Sequence, residues 1–127
     1  MFGKLKEFYH NLFFEPCFPE YRQLIIYCTN SNLSDEDYTQ KVDYVSKVSI
    51  DKSSEIDYDM WYHYCNQDKL LLTCERFSEM DDLYEESVYR GIPAGFICNK
   101  DNNIMLIAIG PTKVKNIDEL LNHLNYF

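Results

Sequence analysis

Two short apolar runs, 94–98 and 104–109, flank the polar stretch Asn99-Lys100-Asp101-Asn102-Asn103. Asn and Asp tolerate left-handed backbone angles, so the stretch reads as a hairpin turn and the two runs as antiparallel strands. This hairpin fixes what surrounds it. Gly91 follows a helical pattern and Pro93 forbids its continuation, so a helix must end just before the first strand. Gly110-Pro111 is expected to stop the second strand. Asn116 is placed to cap a last helix, whose Ile117, Leu120, Leu121 and Leu124 fall on one face.

The preceding chain repeats the same grammar. Residues 22–29 form a nearly continuous apolar run, as suits a central strand buried on both faces. Ser34 can cap a helix with Asp37 in capping-box position, and Tyr38, Val42 and Val45 mark its buried side up to about Val48. Over 54–65, Tyr58, Met60, Tyr62 and Tyr64 alternate as in a strand, but Ser54 as cap and the spacing of Ile56, Met60, Trp61 and Tyr64 favour a helix. Asn66-Gln67-Asp68 is a turn, 69–75 the next strand, and Ser78 a cap for a helix over 78–90 with Met80, Leu83, Tyr84, Ser87 and Val88 inward. The expected fold is a small, mixed, mostly parallel α/β sheet of about four strands flanked by helices. Two strand–helix–strand crossovers imply parallel pairs, and the hairpin adds an antiparallel one. Residues 21–127 are expected to form a single α/β domain. Ahead of it, residues 1–20 are expected to hold an extra amphipathic helix and a linker with Pro16 and Pro19. On that helix Phe2, Leu5, Phe8, Tyr9, Leu12 and Phe13 share a face. It would pack on the domain, dock a partner or lie on a membrane surface.

At 127 residues with 46% hydrophobic content, the chain is long and apolar enough for one core. No run approaches a membrane span, and the first residues lack a signal peptide's apolar stretch and cleavage site. The net charge of −9 argues against a broad nucleic-acid surface and favours a protein partner over nucleic acid. Five cysteines with no C-x-x-C read as buried free thiols in a reducing cytoplasm. Three scattered histidines give no metal site, and no glycine-rich phosphate loop or other cofactor signature is present.

Ile107-Ala108-Ile109-Gly110-Pro111, a short loop, a helix with Asp118 and a closing His123-Leu124 resemble the C-terminus of the type 2 peptidyl-tRNA hydrolases. Trp61, then Tyr64-Cys65-Asn66-Gln67-Asp68-Lys69 and an apolar strand, resemble that family's tryptophan, G-Q-x-K turn and second strand, with Asn66 in place of a glycine. The resemblance covers roughly 21–127 and is strongest over 61–127. It implies that family's fold and, in an unaltered member, hydrolysis of the ester between a peptide and tRNA. Homodimers occur in the family it resembles.

The chemistry departs from the pattern in two places. The family's glycine- and lysine-rich turn into the first helix suits an RNA phosphate or an oxyanion. Here it reads Leu33-Ser34-Asp35-Glu36-Asp37-Tyr38-Thr39-Gln40-Lys41, with three carboxylates where positive charge is expected. After the third strand Asn99 stands at the family's aspartate position, and an amide cannot act as a general base. Asp101, Lys100 and Lys41 remain as candidate catalytic groups, although a carboxylate at a turn tip is ordinarily a turn residue. The reading is a catalytically silent relative that binds a protein through acidic surfaces: Asp35, Glu36 and Asp37 on one helix, Glu79, Asp82 and Glu86 on another. The latter three also suit a plain solvated helix face. An Asn-, Lys-, Ile- and Tyr-rich composition suits an AT-rich genome, such as that of a virus or mobile element, and inhibition of a host factor. The alternative is an active hydrolase with a rearranged site.

Overall fold

The computed structural model describes residues 20–124. The expected helix over 1–14 and its proline linker lie outside the described residues. Strands β1 (Tyr21–Cys28), β2 (Lys69–Cys74), β3 (Ala94–Cys98) and β4 (Ile104–Lys113) form one sheet in the order β2-β1-β4-β3. β1 and β2 pair in parallel, whereas β4 runs antiparallel to both β1 and β3. Three strands therefore point the same way, but only one hydrogen-bonded pair is parallel. The second crossover was expected to make another such pair. Instead it carries β3 to the far edge, because β4 takes the place beside β1. The hairpin recruits β4, and its unbroken apolar run suits the interior better than β3 does.

Helix α1 spans Asp35–Lys52. Ser34 Oγ accepts from the Asp37 amide at 3.2 Å, as the capping pattern requires. The helix outlasts its apolar pattern, which stops near Val48, because its last inward turn is polar. Ser46 and Ser49 are fully buried and hydrogen-bonded to the sheet. Ser54 caps α2 (Glu55–Asp59), which widens into a π turn over Met60–Tyr64. That turn seats Trp61, whose indole N–H donates to Asp68 O at 2.7 Å, while Asp68 O also accepts from the Gln23 amide at 3.0 Å. Trp61 thereby ties the start of β1 to the start of β2. Asn66 (φ 55°) and Gln67 (φ 53°) make the left-handed turn from the π turn into β2.

Helix α3 runs Phe77–Tyr89. Arg76 precedes it without a side-chain cap, so Ser78 lies within the first turn and does not cap it. Its far end is as expected. Gly91 is left-handed (φ 73°), its amide reaches Val88 O at 3.0 Å, and the Ile92 amide reaches Ser87 O at 2.9 Å. This is the Schellman closure.

Two expectations about the C-terminal region are corrected. β4 passes through the cis Gly110–Pro111 bond and continues to Lys113, with its register against β1 shifting between Arg22 and Leu24. A bulge takes up the residue that cannot donate. Helix α4 (Val114–Leu124) then begins at once, so Asn116 lies inside its first turn, with Nδ2 on Thr112 Oγ1 at 2.9 Å.

The larger core layer packs α3 and α4 on Leu24, Ile26, Ile107 and Ile109 through Met80, Leu83, Ile117 and Leu120. The thinner one packs α1 on Ile25, Leu106 and Ala108 through Val45. Between α1 and the sheet lies a polar knot: Gln23 Nε2 donates to Ser46 O at 3.1 Å and Gly110 O at 3.3 Å, and Ser46 Oγ donates to Gln23 Oε1 at 2.6 Å. No helix among the described residues is long and apolar enough to cross a membrane.

Candidate functional site

β1, β2 and β3 end, and β4 begins, at one end of the sheet. The two segments that depart from the expected pattern, the entry to α1 and the β3–β4 hairpin, are both at this end. The antiparallel β4 is what brings them there.

The entry to α1 is a closed structure. A 3-10 turn, Thr29–Ser31, follows β1, and Asn32 is left-handed. Thr29 Oγ1 donates to Cys74 O at 3.2 Å, and Asn30 Nδ2 donates to Glu75 O, so the turn is pinned to the end of β2. The Tyr27 hydroxyl accepts from the Leu33 amide at 3.0 Å, and its ring meets Tyr38 edge-on at 5.1 Å. Asp35, Glu36 and Asp37 follow, all exposed. They occupy the first turn of α1, where the helix dipole favours negative charge. Lys41 is half-buried in the second turn. Thr29, Asn30 and Tyr27 are spent on holding the loop, whereas Ser31 Oγ is buried there with no hydrogen-bond partner. The charge that follows would repel a phosphate.

The hairpin is equally self-contained. Asn99 Oδ1 accepts from the amides of Asp101 at 2.9 Å and Asn103 at 3.0 Å. Asn99 N donates to Asn103 O at 2.9 Å, and Asn102 is left-handed (φ 64°). Asn99 is thus an Asx residue that folds its own turn. Asp101 and Lys100 stand exposed at the tip.

The acidic residues of α3 divide. Glu79 is half-buried in the first turn, at the same end of the sheet, and Asp82 is exposed a turn further on. Glu86 is committed elsewhere: it pairs with Arg90 Nε at 2.9 Å and lies 3.6 Å from His123 Nε2, bridging α3 to α4. The Arg90 pair, four residues on along the same helix, is readable in the sequence, whereas the contact with His123 is not, because His123 lies on another helix.

Beneath the Thr29–Ser31 turn, Cys28 and Cys74 are register partners, both buried and both free thiols. Burial, with Cys28 alongside, pushes the Cys74 thiol up to about 12, so it is no nucleophile at neutral pH. Among the described residues no group of three or more His, Cys, Asp or Glu could hold a metal. Two hollows lie away from this end: about 230 Å³ beside Arg90, Ile92, Asn116 and Glu119, and about 380 Å³ beside Ile50, Ser53, Glu55 and Tyr58.

Sequence reasoning missed the Gln23–Ser46–Ser49 knot that seats α1. A single signal was available, a glutamine inside an apolar strand.

Residues 38–127 match the protein family described as peptidyl-tRNA hydrolase PTH2. The match includes the hairpin and begins just after Asp35-Glu36-Asp37. A search of curated proteins returns no match.

Proposed function

The chain belongs to the peptidyl-tRNA hydrolase PTH2 family, and from that premise we propose that it keeps the fold without the hydrolysis. Its work is to bind a basic protein partner with the acidic end of its sheet. The observation that carries this is the pairing of two losses at one place. Three carboxylates fill the first turn of α1. At the same end, the Asn99 side chain has no proton-accepting carboxylate and is consumed by its own hairpin. A transition-state oxyanion needs fixed donors aimed at it, and a phosphate needs cations. The surroundings offer neither in quantity. The overall charge of −9 supports a basic protein over RNA as partner. The composition supports a viral or mobile-element source, hence a host factor as the target, and the free thiols support a cytoplasmic setting.

The test is single-turnover hydrolysis of an N-acylated aminoacyl-tRNA at low salt, beside an authentic type 2 hydrolase, with tRNA retention measured in parallel. No hydrolysis above the buffer blank and no retained tRNA is the expected result. Turnover above the blank overturns it. A second reading, an active hydrolase with a rearranged site, draws on the exposure of Asp101 and Lys100 at this same end, with Lys41 on α1. Under it Asp101→Ala abolishes the turnover, and full activity in that variant removes the assignment.

A further inference from the structure

The outer side of β3 is unpaired among the described strands, since β3 is last in the order β2-β1-β4-β3. Its backbone directions follow from two contacts. Pro93 O accepts from the Gly110 amide at 2.8 Å, so residue 93 faces β4. Groups alternate along a strand, which turns Ala94 and Phe96 outward. Lys52 Nζ, 2.9 Å from Ala94 O, reaches that outward carbonyl from α1. Phe96 N–H and C=O come next along the edge.

Both flanks of this edge carry exposed or half-buried side chains of definite chemistry. On the α3 side, Phe96 (38% exposed) meets Tyr84 edge-on at 4.7 Å, with Val88 (55% exposed) one turn on. On the other side, Lys41, Tyr44 (60% exposed) and Lys52 share one flank of α1 at helical spacing. That flank overhangs β3, because Val48, in the same row, sits on Gly95. A Cβ built there would lie 2.7 Å from Val48 Cγ1.

We propose that the β3 edge takes an extended segment of a partner protein as a fifth strand. The added strand's alternate side chains are apolar where they meet Phe96, Tyr84 and Val88, and acidic where they meet Lys41 and Lys52. The alternation of a strand delivers the two chemistries to the two flanks, and main-chain bonds to Phe96 supply the affinity. A second copy of this chain fits poorly. Antiparallel pairing of β3 with its own copy keeps like faces together, and sets each Lys41–Lys52 flank beside the same flank. This binding is independent of the acidic end, which calls for a partner of the opposite sign.

The test uses the full chain, isotope-labelled, and two blocked heptapeptides: Glu-Leu-Glu-Phe-Glu-Leu-Glu, and the same sequence with lysine for glutamate. The glutamate peptide should bind saturably and slow exchange of the Phe96 amide by about tenfold or more, as an added ladder bond does. Methylating alternate backbone nitrogens of that peptide should abolish binding. Lys41→Glu and, separately, Tyr44→Ser should each weaken it several-fold. Four outcomes overturn the proposal: no saturable binding, an unchanged Phe96 amide, equal binding by the lysine peptide, or a two-copy mass with Phe96 already protected in the absence of peptide.

Discussion

Gln23→Leu tests whether the polar knot beneath α1 holds the helix to the sheet. Gln23 is fully buried and makes three hydrogen bonds, at 3.1, 3.3 and 2.6 Å. Leucine nearly matches its volume and opens no large cavity, so the loss is mainly polar. Gly110 O keeps a second donor in Ser49 Oγ. Ser46 Oγ loses its acceptor, and its fallback is the carbonyl one turn back along α1. At roughly 1 kcal/mol net for each lost bond, offset by the apolar gain of leucine, the variant should lose about 2 kcal/mol. With a urea slope of about 2 kcal/mol per molar, the midpoint should fall by about 1 M at unchanged slope. The double variant Gln23→Leu/Ser46→Ala removes the stranded hydroxyl as well. It should be less destabilised than the sum of the single variants by about 1 kcal/mol. A single-variant midpoint indistinguishable from the parent, or strict additivity in the double, would refute the reasoning.

Other consequences are as direct. Gly95→Ala would set a methyl 2.7 Å from Val48 Cγ1 and 3.1 Å from the Ser49 amide. A loss of about 1–3 kcal/mol in urea melts is expected, only partly relieved by Val48→Ala because the amide cannot withdraw. Gly91→Ala meets no atom within 4 Å, so its loss of about 1–2 kcal/mol should come from the left-handed backbone alone. The Cys74 thiol is raised from 9.0 to about 12, and Tyr21 is raised above 10.0 by burial and the Asp57 carboxylate. The unfolded chain therefore releases these protons first, and stability should fall as pH rises above 9. Urea midpoints compared at pH 8 and pH 10 check this, and Cys74→Ala should flatten the fall. Thiol labelling of the native protein at pH 8 should reach Cys65 and Cys98 well before Cys28 and Cys74.

The elements themselves were legible in the sequence because their signals are local. The Ser34 and Ser54 caps, Gly91 and the Asn-rich hairpin each act within a few residues of where they stand. What could not be read depends on distant partners. Asn116 looks like a cap until Thr112 is seen to take its side chain. Gly110-Pro111 looks like a strand end until it is seen as a bulge in β4 opposite Gln23 of β1. β3 looks like a neighbour of β2 until β4 is placed between β1 and β3. At the candidate site, the loss of charge complementarity to phosphate was visible in Asp35-Glu36-Asp37. The occupation of the Asn99 side chain was not, since an amide in a turn reads the same whether it faces outward or folds back.

The position of β4 also sets the order in which this chain can fold as it is made. The strand that holds the sheet together is the last of the described strands to leave the ribosome, and it pairs with residues synthesised some eighty positions earlier as well as with its hairpin neighbour. Until Lys113 emerges, β1 has a partner on one side only, and the apolar inner faces of α1 and α3 have half a sheet to pack on. The nascent chain must carry that surface uncovered until β4 has been made, so a truncation anywhere between Asn99 and Ile109 would leave a sticky fragment rather than a smaller domain.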